Sequence, residues 1–343
     1  MADLDFTLRF VTDGFLRGAP GQNIRHDQLR VPSLRGALRY WYRAKEYAAT
    51  GTELFERESA VFGSTHVGQG VRIRPLGTAG RWQPLRRSRP FAEKYLGYGP
   101  VTDPSRRAIP NGTGFRFLAS GSVHQLDELR KCLALLHLFG GIGSRCRRGW
   151  GSLAVSEESV VRPFRGGSLA DWLENVLQQV WPPGAARPSA RGRQPLYPAF
   201  SGSAKASYFG PRDKWSEVLQ EFFDKFQLLK GPAKARPIPA AAPLRVGLGL
   251  PWKSGSPTSS WTGRRAGGGA VNRRSSPLHL SVLHENGSYY GVALFLDAQF
   301  FGTRTDLIET PPRGAERTVE FPGYGAVDLF MAAGAWDGVV RIP

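Results

Sequence analysis

The chain has 343 residues, 41% of them hydrophobic, and a formal net charge of +18. That length and apolar content exclude a disordered tail and a single small module, and leave room for two ordinary domains. No run reaches the ~20 apolar residues of a membrane span. The start, MADLDFTLRF, lacks a signal-peptide pattern, and two cysteines, Cys132 and Cys146, are too few for a disulfide scaffold and fit a reducing cytoplasm. Basicity this strong points to a polyanionic partner, nucleic acid before acidic lipid.

Leu4–Thr12 alternates apolar and polar residues and predicts a strand with Leu4, Phe6, Leu8 and Phe10 on one face. A loop over Gly14–Gln28 follows. Pro32 and Ser33 open a helix, with Ser33 as its N-cap. Leu34, Leu38 and Trp41 share one side of that helix, and Arg35, Arg39 and Arg43 repeat at every fourth position on another. Like charges at that spacing repel, so the stripe either meets anions or is a solvated face. Gly70–Arg74 predicts a second strand. Within Trp82–Tyr98, Arg86, Arg87, Arg89 and Lys94 mix with Phe91, Tyr95 and Tyr98, which fits a single-stranded nucleic-acid surface or an ordinary loop. Asn111–Ser120 predicts a third strand. Ser122 and Gln125 form a capping box for a helix that carries Leu126, Leu129, Leu133 and Leu136 and ends at Gly140. Ser152–Ser156 predicts a fourth strand. The order is that of a ferredoxin-like, split βαβ unit of the α+β class, with one antiparallel sheet and both helices on one face.

In the second half, Ser168 with Asp171 caps a helix through Trp181. Pro182–Pro195 and Gly231–Pro243 are long Pro- and Arg-containing connections. A strand is expected within Tyr197–Phe209. An amphipathic helix over Lys214–Lys230 turns Trp215, Leu219, Phe222, Phe223 and Phe226 inward. Leu244–Leu250 predicts a strand, Thr262–Pro277 a basic glycine-rich loop, Leu278–His284 with Tyr289–Phe300 a hairpin, and Gly314–Met331 a last helix after Pro322. A duplicated fold fits this order.

The stretch Gly140–Gly151, GGIGSRCRRGWG, sets Gly140, Gly141, Gly143, Gly149 and Gly151 around Arg145, Arg147, Arg148 and Trp150. Glycine admits close approach to the backbone, arginine suits phosphate and flat rings, and tryptophan offers a face to a base. Taken alone, it reads equally well as a basic turn or as an anion site.

Known chemistry is largely excluded. There is no phosphate loop, no complete dinucleotide fingerprint, no nucleophile elbow and no histidine at zinc-ligand spacing, so no cofactor or metal is expected. His26 and Asp27 form the one catalytic candidate: an acid-base pair near Arg25 and Arg30 would suffice for RNA cleavage by its own 2′-hydroxyl. A polar loop without chemistry is the alternative.

Three stretches together resemble the RAMP proteins, the RNA-binding subunits of type III CRISPR effector complexes. They are RVPSLRGALRYWYRA (Arg30–Ala44), GGIGSRCRRGWGS (Gly140–Ser152) and, with ESAVFGST and YLGYG, RRSSPLHLSVL (Arg273–Leu283). The last group is similar to the family of the first-numbered subunit of the Cmr, type III-B, complex. The resemblance implies two ferredoxin-like RAMP domains, expected over 1–160 and 161–343, with insertions in the second. It also implies a cytoplasmic, non-catalytic subunit at the head of the complex, near the 3′ end of the CRISPR RNA (crRNA). There it would capture target RNA beside other Cmr-type subunits. Backbone RAMP subunits cut target RNA with an aspartate in the loop that Asp27 matches, so an endoribonuclease is one alternative and a structural subunit the other. The expected RNA contacts are Ser33, Arg35, Arg39, Arg43, Arg145, Arg147, Arg148, Arg273, Arg274 and the amides of Gly140, Gly141 and Gly143 for phosphate, and Tyr95, Tyr98 and Trp150 for stacking.

Overall fold

Alternation in the first segment becomes β1 (Ala2–Phe10), which buries Leu4, Phe6, Leu8 and Phe10 and leaves the residues between them on the other face. The computed structural model describes residues 1–16, 29–46, 51–68, 70–79, 83–84, 89–103, 107–184, 195, 197–228, 252–254, 259–265, 270–271, 276–298, 305–311, 314–319, 323–332 and 334–342. After β1 come α1 (Val31–Lys45), α2 (Gly51–Phe62), β2 (Arg72–Ala79), β3 (Gln83–Pro84), α3 (Phe91–Leu96), β4 (Arg107–Ala108), β5 (Gly114–Gly121), α4 (Val123–Phe139) and β6 (Leu153–Ser156). The first sheet is antiparallel, in the order β2-β5-β1-β6. Helices α1 and α4 cover the face that carries Phe6, Leu8 and Phe117. This is the expected ferredoxin-like unit, with α2 and the β3-α3-β4 segment added between its strands.

Two local signals behave differently. The capping box of α4 is complete, with Gln125 N–H donating to Ser122 Oγ at 3.2 Å and Ser122 N–H to Gln125 Oε1 at 3.0 Å. Ser33 is not an N-cap, because α1 begins two residues earlier. Arg30 is the cap, and Pro32 sits in the first turn, where its missing N–H is no loss. Ser33 N–H already donates to the Arg30 carbonyl.

The second half repeats the plan. After α5 (Leu169–Val180) come β7 (Lys205–Arg212), α6 (Trp215–Leu228), β8 (Trp252–Ser254), β9 (Ser259–Arg265), β10 (Ala270–Val271), β11 (Leu278–Glu285), β12 (Ser288–Phe295), β13 (Thr305–Thr310), β14 (Arg317–Val319), α7 (Gly325–Ala332) and β15 (Gly338–Val340). The second sheet runs β11-β12-β7-β15, again antiparallel, and the unit β7-α6-β11-β12-α7-β15 has the topology of the first. The expected hairpin is β11–β12, closed by Asn286 and Gly287, both at positive φ as in a type I′ turn. The stretch expected to be a basic loop from Thr262 holds β9 and β10 instead. They pair with β13 and β14 in an accessory sheet of order β10-β9-β13-β14, with β8 also on β9. The strand expected at Leu244–Leu250 and the Gly231–Pro243 connection lie outside the described residues, as does 185–194 of the earlier connection.

The layers stack as sheet, helices, sheet, helices. Tyr290, Val292 and Leu294 of the second sheet join the first unit's core against α4 and α5, and Leu280, Val282 and Phe295 face Phe222 and Phe330 of α6 and α7. Both faces of the second sheet are therefore buried.

A charged network joins α1 to α4. Lys45 Nζ lies 2.9 Å from Glu128 Oε2 and also pairs with Glu46, and Lys131 Nζ reaches Glu128 Oε1 at 2.8 Å. Burial opposes the charge on Lys45, but Glu128 and Glu46 outweigh it and hold its pKa above the ordinary 10.5. Burial opposes the Glu128 carboxylate too, but Lys45 and Lys131 hold its pKa below 4.5. A raised lysine stabilises fully below its unfolded pKa and loses that as pH rises through its folded one. A depressed carboxylate stabilises above its unfolded pKa and loses that as pH falls through its folded one. The pair thus contributes from about pH 5 to about pH 10. Thermal unfolding of Glu128→Gln is expected to show a lowered Tm across that window, with the gap to native protein closing below pH 4. A gap that stayed constant into acid would refute the assignment.

Candidate nucleic-acid interface

The helix α4 ends at Phe139, and the glycine-rich loop crosses from it to β6. A 3-10 turn, Cys146–Arg148, forms its tip, and Arg145 before the turn is left-handed, at φ 65° and ψ 19°. The glycines are crowded from inside the protein. A Cβ on Gly151, itself at φ +67°, would stand 2.3 Å from the Ile142 carbonyl oxygen, and one on Gly143 would stand 2.5 Å from that of Phe15. Of the amides expected to hold phosphate, that of Gly140 is engaged within the protein, and the loop around Gly141 is pinned by its neighbours. Gly140 N–H donates to Leu136 O at 3.0 Å, Ile142 N–H to Gly151 O at 2.9 Å, and Gly141 bridges Ser152. Thr12, fully buried, donates to Gly149 O at 2.8 Å and accepts from Ser152 N–H at 3.1 Å. Ser152 Oγ accepts from Val282 N–H at 3.1 Å, which ties the loop to the second sheet. The glycines therefore allow close packing of the loop between the two units.

Trp150 requires the same correction. It is 0% exposed, its ring centroid lying 5.0 Å from Phe15 and 5.5 Å from Trp215 of α6. It presents no face to a base. Beside it the Arg89 guanidinium reaches Asp13 Oδ2 at 2.6 Å and Glu93 Oε2 at 2.8 Å, and lies 5.3 Å from the indole. Asp13 also accepts from Asn111 N–H at 2.9 Å. A buried ion triad thus fixes α3 against the loop.

The three loop arginines diverge. Arg147 donates to the Ser276 carbonyl and lies 5.0 Å over Tyr40, whose hydroxyl meets His279 Nε2 at 2.8 Å. Burial, with the charge of Arg147, keeps the pKa of His279 well below its usual value. Arg145 Nε donates to the Tyr98 carbonyl at 2.8 Å. Arg148 lies 4.6 Å over the Phe226 ring. Burial lowers its pKa to about 10, Tyr95 opposing and Arg145 adding to the fall, so it stays charged at neutral pH.

Arg145 and Arg148 share a cavity of 540 Å³ with Lys94, Tyr95, Tyr98 and the rings of Phe91 and Phe226. The cavity exists because α3 packs on α6, with Tyr95 and Phe91 lying 5.2 and 5.4 Å from Phe223. Four residues chosen from sequence, Tyr95, Tyr98, Arg145 and Arg148, meet here. Phe91, Lys94 and Phe226 complete the wall. The spacing Phe91–Tyr95, one helical turn, was the signal that could have marked this stretch as a helix.

The α1 stripe lies elsewhere, with Arg35 and Arg39 turned toward α2 and Arg43 half exposed. Arg35 donates to Phe62 O at 2.6 Å and Val71 O at 3.0 Å. Arg39 pairs with Glu58 at 2.9 Å and donates to the carbonyls of Phe62 and Gly63. Arg43 pairs with Glu58 at 2.7 Å, its side chain 48% exposed. Among the described residues the anion this stripe meets is Glu58, and the other acceptors are carbonyls at and beyond the C-terminus of α2, a helix not expected from sequence. His26, Asp27, Arg273 and Arg274 lie outside the described residues.

Comparison with known proteins agrees with this architecture. Residues 7–154 match the sequence profile of the RAMP superfamily. The CRISPR system Cmr subunit Cmr1-1 of Pyrococcus furiosus is 27% identical over 229 residues. That match takes in 59% of this chain and 65% of the relative, somewhat less than two thirds of its length. The crystal structure of Cmr1 from Pyrococcus furiosus, in its apo form, superposes with a TM-score of 0.57 at 20% identity, covering 97% of this chain and 96% of that one. A chain in the cryo-EM structure of a type III-B Cmr-beta complex bound to cognate target RNA gives a TM-score of 0.57 at 13% identity, over 88% and 96%. The RAMP profile thus covers the first unit, residues 7–154, and the likeness in fold to Cmr1 runs through both units.

Proposed function

We propose that this protein is an RNA-binding subunit of a type III-B CRISPR effector complex, without a catalytic role of its own. It sits at the head near the 3′ end of the crRNA and helps capture target RNA. The two units meet the rest of the complex as tandem RAMP domains, divided near residue 160. The observation that carries the reading is the cavity where Arg145, Arg148 and Lys94 converge with Tyr95 and Tyr98, in a chain of net charge +18. Cations beside open rings are what a single strand needs: phosphates meet the charges and bases stack on the aromatics. The likeness to Cmr1 and to a chain of an RNA-bound Cmr complex supports the same assignment.

Affinity for single-stranded RNA is expected to fall with salt, with a log–log slope of ~0.7 per neutralised phosphate. In the double variant Lys94→Gln/Arg145→Gln the slope should become shallower by ~0.7 for each lost contact. Fluorescence anisotropy over a salt series measures it. An unchanged slope would remove this cavity from the RNA path.

A further inference from the structure

We propose that the cavity between α3, the glycine-rich loop and α6 receives a single base turned out of the bound strand, and that Arg148 at its floor selects guanine. The proposal rests on the RNA-binding reading above and adds the identity of the base.

The shape argues for one flat ring. At 540 Å³ the space is in the range of small-molecule sites and too confined for a continuous strand. Phe91 and Tyr98, 68% and 67% exposed, stand open to solvent as an entrance, while Tyr95 and Phe226 form the deeper wall. A base turned into this space exchanges stacking on its neighbours for stacking on these rings. Lys94 and Arg145 remain beside the flanking phosphates.

Arg148 supplies the discrimination. Its guanidinium is stacked on Phe226, and among the described residues its side chain has no carboxylate, carbonyl or hydroxyl partner. A guanidinium is a planar fork of donors with no acceptor. It is satisfied best by two acceptors side by side on one edge. Guanine offers O6 and N7, whereas adenine sets the N6 amino donor beside N7. Uracil separates its two carbonyls by an N–H. Cytosine offers N3 with O2, but its single ring covers less of a wall built from Phe91, Tyr95, Tyr98 and Phe226.

The test uses the full-length protein and short oligouridines that carry one central guanosine, adenosine, cytidine or 7-deazaguanosine. The guanosine probe should bind on the order of tenfold tighter than the adenosine and all-uridine probes. The 7-deazaguanosine probe should fall to the adenosine level. Arg148→Lys keeps the charge and removes the fork, so it should abolish the preference while leaving the salt slope as in native protein. Equal binding of guanosine and adenosine, a cytidine probe that binds as tightly as guanosine, or a preference that survives in Arg148→Lys would each overturn the selection of guanine while the RNA-binding reading stands. Failure of every probe to bind would overturn both.

Discussion

Replacement of Trp150 by alanine is expected to lower the stability of the protein by about 3–5 kcal/mol. The indole is fully buried between Phe15 of the first unit and Trp215 of the second, so its loss opens a void at the seam of the two units. Neighbouring backbone is held by the Thr12–Gly149–Ser152 bonds and collapses little into the space. The indole N–H has no partner among the described residues, so Trp150→Phe gives up no hydrogen bond, leaves a smaller void and should cost less than the alanine variant. Urea unfolding midpoints of the two variants separate these outcomes. An alanine variant that unfolded like native protein and lost only RNA affinity would show that the ring faces ligand.

Arg89→Met is expected to destabilise by a similar amount, about 3–5 kcal/mol, for an electrostatic reason. The Arg89 side chain is 9% exposed and stands between Asp13 and Glu93, 12% and 7% exposed. Without it two buried carboxylates face each other and must be hydrated or take up a proton. The triple variant Arg89→Met/Asp13→Asn/Glu93→Gln removes the charges together and should recover part of the loss. The difference between single and triple variants in chemical denaturation reads the cost of the uncompensated charges. If the triple variant were no more stable than the single one, packing rather than charge would hold α3.

The ferredoxin-like frame of the first unit was legible in sequence because its four sheet strands and two covering helices are specified locally, whereas α2 and α3 were not expected. Alternation marks β1, and Ser122 with Gln125 marks the start of α4. The second unit was legible as a pattern but not as a map, since its strands are separated by long connections whose pairings are non-local. The accessory sheet joins β9 to β13 across the whole β11–β12 hairpin, and nothing near either strand states that partnership.

The site divided along the same line. Arg145, Arg148, Tyr95 and Tyr98 were recognisable as residue types, but the cavity they share depends on α3 meeting α6. Trp150 misled because side-chain chemistry does not encode the direction a residue faces. A tryptophan between glycines looks the same whether a base or a second domain lies opposite. Arg35 and Arg39 do need acceptors, and a neighbouring helix supplies them through Glu58 and its terminal carbonyls.

The accessory sheet has a consequence for how the second unit is built and how it can change. Its strands come from two places, β8–β10 from between α6 and β11, and β13–β14 from between β12 and α7. Both halves are tethered to one hairpin, whose two ends hold the insertions beside each other. The two insertions form one sheet written in two pieces, and neither can be deleted through its paired strands without leaving the other with an open edge.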